Sequence, residues 1–429
     1  MTARTGDTIF AVSSGSPPAA IGVIRVSGAG ASLALRTLVG RTIAPRRPSL
    51  AQLRNATYDV LDEALVLWFP GPATATGEDL AELHCHGGRA VLAAVCDELA
   101  KIEGLRPALE GEFTRRSFAN GRIDLAEAEG LADLLEAETE LQRAAAISAA
   151  SGSLSGLVEG WRDEVLRLSA QVEAALDFSD EDDVSELPEG FAQSIDDLGQ
   201  TLGDWLNRPR SERLKEGFRI VLAGPPNSGK STLFNALVES EAAITSPIAG
   251  TTRDIIERSV AIMGVPFLFI DTAGLRKDGA EEIEAIGIER AQREFARADC
   301  ILWLGGESEG PEGSWEVAAR SDCAEFVPKA SARHTVSAAT GSGLTSLKEA
   351  LVEEARSRLP RPGEAALNAR QSDRLSEAHE ALQRTKGLND MLLVAEELRR
   401  ARLAFDRLIG RSTTEDMLDA LFGRFCIGK

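Results

Sequence analysis

Paired cysteines are missing. The five that occur, Cys85, Cys96, Cys300, Cys323 and Cys426, are odd in number and share no close spacing. That argues against a disulfide framework and for a reducing compartment. No apolar run approaches the roughly 20 residues of a membrane span. The opening stretch MTARTGDTIFAVSSG lacks the basic-then-apolar profile of a secretory leader. Positive charge is short as well: 47 Lys and Arg stand against 67 Asp and Glu, a net −20. A body this acidic repels nucleic-acid phosphate at long range, which excludes tight RNA or DNA binding unless a basic partner or a local basic patch helps. These absences predict a soluble, cytoplasmic chain with no membrane association.

What is present is ordinary globular protein, 43% hydrophobic and rich in helix formers. At 429 residues it is long for one core, so two to four domains are expected. Residues 1–120 read as mixed α and β: AIGVIRVSG and EALVLWFP have the bias of strands, and RAVLAAVCDELAKI has helical spacing. From 121 to 213 the text is helical, with Leu154, Leu157, Trp161, Val165, Leu168, Val172 and Ala175 along one face and an acidic loop, DFSDEDDVSELPEG, interrupting it. Residues 214–358 alternate helices with the short apolar runs FRIVLA, SVAIMG, PFLFID, DCILWL, EFVPK and HTVSA. That is the rhythm of a parallel-type sheet with helices on both faces. Residues 359–429 return to helix, with Leu398, Ala401, Phe405 and Leu408 on one face. The economical fold class is multidomain α/β plus all-α, with an α/β domain inserted into a helical one.

GPPNSGKS, from Gly224 to Ser231, fits G-x-x-x-x-G-K-[ST] between a strand and a helix. Backbone N–H groups of Asn227, Ser228 and Gly229 and the helix start at Lys230–Thr232 are placed to face phosphate oxygens. Lys230 would reach the β- and γ-phosphates and Ser231 would ligate Mg²⁺. DTAG (Asp271, Thr272, Ala273, Gly274) follows a strand, so its carboxylate can hold the metal's water shell and its glycine can sense a γ-phosphate. GTTRD lies between, and Thr251 or Thr252 can complete the metal shell as a γ-phosphate-ordered switch. HCHGG invites a metal reading, but His84 and His86 with no third ligand make a poor site, and packing or substrate contact is favoured.

At these residues a family resemblance emerges. The Asn227 context, GTTRD, DTAGLR and SAATGSGL are similar to a translation-factor-type, Ras-like P-loop GTPase domain. DTIFAVSSG, GVIRVSG, FPGPATATGEDLAELHCHGG, GEFTRRSFANGRIDLAEAEGLADLLEA and the final CIGK resemble the MnmE (TrmE) family of tRNA-modification GTPases. The resemblance spans nearly the whole chain. It implies a GTP hydrolase that works with a flavin-dependent MnmG-type protein carrying FAD. The pair would attach a carboxymethylaminomethyl-type group to C5 of the wobble uridine, meeting tRNA mainly through the partner. It also implies a folate-binding-like N-terminal domain that mediates homodimerisation and holds 5-formyl- or methylene-tetrahydrofolate. Carried over residue by residue, Asn227, Ser246, Ile248 and Thr251 would hold K⁺, Ser231, Thr252 and Asp271 would serve Mg²⁺, and Glu284 would orient the attacking water or else be a solvated helix-start acid. Arg25, Glu82, Arg122 and Lys429 would meet the folate. Cys426 is a candidate nucleophile, a redox group or a structural residue. The family's guanine-reading N-K-x-D is absent; in VPKASA, Lys329 survives while Pro328 and Ser331 replace its asparagine and aspartate, so weakened guanine preference is expected, with Ser337, Ala338 and Ala339 supplying backbone contacts. Two other classes stay open: a ribosome-assembly or other regulatory switch without modification chemistry, and a folate enzyme regulated by the nucleotide.

Overall fold

The computed structural model describes residues 6–177, 187–239, 242–243, 256–272, 292–412 and 414–429. The chain forms two compact units, one of Met1–Ala132 with Asp406–Lys429 and the other of Asp133–Phe405.

The first unit is built on a six-stranded sheet in the order β3-β4-β5-β2-β1-β6. Its strands are β1 (Thr8–Val12), β2 (Ile21–Ser27), β3 (Ser49–Arg54), β4 (Val60–Phe69), β5 (Leu80–His86) and β6 (Leu105–Pro107). Only β6 pairs in parallel. Alternation along these strands sends Ile24, Val26, Ala64, Val66 and Leu83 to one face, where the helices Ala31–Val39 and Arg89–Ala100 cover them. On the opposite face, Phe113 of the helix Glu112–Ala119 packs on Ile9 and Ala11 of β1. Farther along that face Leu50 and Leu65 stand directly opposite each other in register, 64% and 39% exposed. The C-terminal helix Glu415–Phe422 belongs to this unit, burying Leu418, Leu421 and Phe422 against Leu125 and Ala128. Beyond it, Ile427 forms an antiparallel bridge with Glu110.

The second unit contains the long helices Ser153–Asp177, Phe191–Leu206 and Ala369–Thr385. Trp161 meets Trp205 edge-on at 5.7 Å and Phe405 at 6.1 Å. The expected apolar face holds with one correction: Leu157 is 39% exposed and Val158 takes its buried place, one position farther round the helix. Leu398, Ala401, Phe405 and Leu408 are all buried as the spacing predicts.

Its sheet runs β13-β12-β11-β7-β10-β9-β8. The strands are β7 (Phe218–Ala223), β8 (Ala242–Ala243), β9 (Ile256–Ile262), β10 (Val265–Asp271), β11 (Cys300–Trp303), β12 (Trp315–Ala318) and β13 (His334–Thr335). β7 pairs in parallel with both β10 and β11, which explains its largely apolar text, broken only by Arg219. The helices Lys230–Val238 and Leu344–Arg358 press Phe234, Leu237, Leu347 and Leu351 onto Ile220, Leu222, Phe267 and Phe269. EFVPK is not a strand. The strand beside β11 is instead WEVA, ten residues earlier, and Val327 lies 76% exposed beside Pro328, which cannot donate to a ladder. Neither 304–314 nor 319–333, the connections flanking β12, contains a helix.

Candidate nucleotide-binding site

β7 ends where the strand order reverses, between β11 and β10, the place where open parallel sheets bind ligands beyond their carboxyl ends. The chain leaves it through the loop 224–229. Gly224 takes φ 149° and Gly229 φ 97°, conformations that side chains other than glycine's resist. A Cβ on Gly224 would lie 3.0 Å from Ser228 Oγ and 3.1 Å from the Gly305 nitrogen. Asn227 also holds a left-handed backbone, φ 61°. Lys230 is buried and its ammonium donates to the Pro225 carbonyl at 2.7 Å, across the mouth of the loop. Ser231 Oγ donates to Asp271 Oδ2 at 2.7 Å, and Thr272 Oγ1 to the Leu222 carbonyl at 2.7 Å. Ser228 Oγ is buried with no protein partner. An unsatisfied buried hydroxyl inside such a loop fits an absent polar ligand such as phosphate.

Two strands away, β12 ends at Ala318 and is followed by Ala319, Arg320, Ser321 and Asp322. Asp322 Oδ1 accepts from the buried Ser337 Oγ at 2.5 Å, and Ser337 Oγ also accepts from the Thr340 N–H at 3.1 Å. The Ser337 hydroxyl, the residue's own N–H and the Arg320 charge hold the Asp322 carboxyl below its ordinary range. Arg320 Nη1 donates to the Asn227 carbonyl at 3.3 Å. Ala338 is half-buried and Ala339 exposed beside Ser337. Lys329 lies seven residues beyond Asp322, donating to the Val317 carbonyl at 3.1 Å. Burial pulls its ammonium below the usual lysine range against the opposing charges of Glu316, Glu307 and Glu309. Ser331 binds Glu316. The strand-end carboxylate is therefore Asp322, and the search for it at Ser331 followed from mistaking EFVPK for the strand.

In the first unit, Arg25 and Glu82 are register partners, and Arg25 Nη2 donates to Glu82 Oε1 at 2.9 Å. His84, two residues on and on the same face, lies 3.2 Å from Glu82 Oε2. Burial alone would raise the Glu82 carboxyl, but the bonds from His84 and Arg25 and their charge outweigh it and hold it below the usual range. His86 bonds instead to Asp62, at 2.7 Å, so the two histidines do not converge, and no group of three metal-ligating side chains occurs among the described residues. Arg122 is exposed, its N–H on the Ser117 carbonyl, and Lys429 is exposed with its N–H on the Cys426 carbonyl. Among the described residues no bond joins either of them to Arg25 or Glu82. Burial pushes the Cys85 and Cys300 thiols up to about 12 and Cys96 to about 11, leaving them inert as nucleophiles, whereas Cys426 is exposed.

Residues 8–122 match the family described as GTP-binding protein TrmE N-terminus, and 125–426 match the MnmE helical domain. The tRNA modification GTPase MnmE of Erythrobacter litoralis is 60% identical over 423 residues, 99% of this chain and 100% of that protein. The chain belongs to the MnmE family of tRNA modification GTPases. The MnmE of Novosphingobium aromaticivorans is likewise 60% identical, over 99% of this chain and all of its own length, and that of Rhizorhabdus wittichii 54% over 100% and 98%.

Within the MnmE frame, the structure brings together Gly224, Asn227, Ser228, Gly229, Lys230, Ser231, Asp271 and Thr272, with Thr232 on the first turn of the helix they open. Ser246, Ile248, Thr251, Thr252, Ala273, Gly274 and Glu284 lie outside the described residues. A hydroxyl and a carboxylate 2.7 Å apart at the loop's exit form a donor set suited to Mg²⁺. Of the four K⁺ positions only Asn227 is described. Arg320 and Asp322 were missed in the sequence, and His84 was read there as a packing or substrate-contact residue, although it is the strand neighbour of Glu82. No helix of the described residues is long and apolar enough to cross a membrane.

Proposed function

We propose that the chain hydrolyses GTP with K⁺ stimulation. With a flavin-dependent MnmG-type partner it installs a carboxymethylaminomethyl-type group on C5 of the tRNA wobble uridine, using a tetrahydrofolate one-carbon unit. The observation that carries the nucleotide half is the pairing of the loop 224–231 with Asp271, completed two strands away by Asp322 on Ser337. Loop amides and the Lys230 ammonium bind the phosphates, the ammonium exchanging the Pro225 carbonyl for a phosphate oxygen. Ser231 and Asp271 would hold Mg²⁺, which neutralises charge on the β- and γ-oxygens when bound. Asp322, ionised and fixed by Ser337, accepts the two N–H groups of guanine's edge, which adenine cannot offer. This supports GTP over ATP without an N-K-x-D tetrad.

The Arg25–Glu82–His84 row supports the folate reading: a guanidinium suits a folate carboxylate and a carboxylate suits a pterin's N–H edge. Exposed Leu50 and Leu65 on the same sheet support pairing of two copies through the N-terminal domain. The division at 120, 213 and 358 is retained as our reading of the domains, and the net charge of −20 supports contact with tRNA chiefly through the partner. The test is nucleoside analysis of tRNA from a deletion strain. Wobble uridine should lack the modification, with rescue by the wild-type gene and none by Lys230→Ala or Asp271→Ala. Normally modified wobble uridine in the deletion strain overturns the function.

A further inference from the structure

Acidic residues are absent between Thr8 and Tyr58, although the chain as a whole carries 67 of them. The same stretch holds six arginines and no lysine. Arg25 is bound to Glu82, but Arg36, Arg41, Arg46, Arg47 and Arg54 form no ion pair among the described residues. Elsewhere in this unit arginines meet carboxylates, Arg106 on Glu112 at 2.7 Å and Arg116 on Glu78 at 3.0 Å. Four of the five lie at one corner of the six-stranded sheet, where β3 begins and β4 ends. Arg36, on the helix Ala31–Val39, lines a small pocket with Leu35, Thr42, Ile43 and Trp68. Arg41 Nη2 donates to the Leu50 carbonyl at 3.1 Å and Arg46 Nη2 to the Ala73 carbonyl at 2.7 Å. The Arg46 N–H bonds the Trp68 carbonyl at 2.7 Å, its guanidinium lies 5.9 Å from the Phe69 ring centroid, and Arg47 follows it. All four arginines are exposed. Arg46 holds a left-handed backbone, φ 56°, which is costly for a side chain and persists where surrounding bonds impose it. The corner therefore fixes its charges in place.

We propose that this corner is an RNA-phosphate contact, the place where an acidic chain touches the backbone of its tRNA. This rests on the tRNA-modification reading above and adds the chain's own foothold to contact made chiefly through the partner. A body of net charge −20 repels RNA at long range, so its approach requires a surface free of carboxylates. Arginine suits phosphate because its weakly hydrated planar fork can offer two parallel bonds. The carbonyl bonds of Arg41 and Arg46 use only part of the five donors that each guanidinium carries. Contacts to phosphate position an RNA without reading its sequence, so the corner should not distinguish bases. Two copies of the chain meeting here would set like charges against each other, which disfavours a self-contact.

The experiment titrates the full-length chain with a tRNA transcript at several KCl concentrations, in wild type, Arg36→Gln, Arg47→Gln and the double variant. Each phosphate contact adds a slope of about −0.7 to −0.9 to log affinity against log salt, so four contacts predict roughly −3. Either single variant should lower the magnitude of that slope by about one, and the double variant by about two. At about 50 mM KCl each lost contact corresponds to roughly tenfold weaker binding. Transcripts differing in the wobble base should bind alike. GDP affinity, a property of the other unit, should stay within about twofold, which separates a lost contact from unfolding. A wild-type slope in the double variant overturns the proposal, as does a wild-type chain that binds no tRNA at low salt. A variant that keeps its tRNA affinity but falls to a monomer, or loses an MnmG-type partner, assigns the corner to protein contact and overturns it too. None of these failures alters the nucleoside analysis of the deletion strain, so the two readings fall separately.

Discussion

In the nucleotide site proposed above, Asp322 is the carboxylate that would read the base, and its surroundings tune it for that task. Its Oδ1 takes the Ser337 hydroxyl at 2.5 Å, and that bond with the nearby Arg320 charge keeps its pKa below the ordinary 3.8. A depressed carboxyl adds its share of stability and binding above its ordinary pKa and loses both as pH falls through the folded value. GTP affinity should therefore be flat from pH 8 down to about 5 as far as this group is concerned, and decline only in stronger acid. Asp322→Asn replaces an acceptor pair by a donor and an acceptor. It should cost GTP roughly tenfold to a hundredfold in affinity, the worth of a hydrogen bond to a charged group, while improving XTP, whose oxygen at C2 can accept the new N–H. Titrations with GTP, XTP and ATP check this; equal losses for all three would remove Asp322 from the base site.

The phosphate loop was legible in the sequence because its glycines answer a backbone demand that leaves a spaced pattern. Gly229 sits at φ 97° as the residue preceding the helix Lys230–Val238, with the Arg320 stem overhead. Gly229→Ala must both adopt that backbone and push the stem aside. A penalty of about 1–2 kcal/mol for the left-handed form predicts roughly a 5- to 30-fold loss of GDP affinity, measured by calorimetry, with the thermal midpoint moving by a few degrees at most. The strand β12 left almost no pattern. WEVA is four residues long and follows GGESEGPEGS, whose glycines and proline read as loop, whereas EFVPK carries more apolar text yet lies outside the sheet. What makes WEVA a strand is long-range: pairing with β11 and β13, and the Arg333 guanidinium stacked 3.6 Å over Trp315. The position of Asp322 hung on that pairing, so it became visible only in the structure. His84 was noticed but its pairing with Glu82 was not, since nothing local tells a histidine packed in a strand from one aligned with a carboxylate.

Across the whole molecule, the last residues of the chain rejoin the first. The unit that carries Arg25, Glu82 and His84 also contains Asp406–Lys429, a return that no local spacing encodes. The tail is seated closely. Gly428 adopts φ 97°, and a Cβ there would lie 2.3 Å from the Val12 carbonyl oxygen and 3.0 Å from the Ser13 Cα. Those are backbone atoms of β1 and of the residue after it, which are fixed by pairing with β2 and by the Ser13 N–H on the Val23 carbonyl at 2.7 Å. They cannot yield as a side-chain end would, so Gly428→Ala must lift the tail and break the bridge between Glu110 and Ile427. The nucleotide loop lies in the other unit and depends on none of these contacts. If exposed Cys426 and Lys429 act in the modification, Gly428→Ala should lower wobble-uridine modification at least tenfold while GTP hydrolysis and GDP affinity stay within about twofold of wild type, the scale of a 1–3 kcal/mol overpacking penalty confined to one site. Deleting CIGK should do the same. Both readouts are needed: a parallel fall in hydrolysis would point to general unfolding, and full modification in either variant would show that the tail is anchored for stability alone.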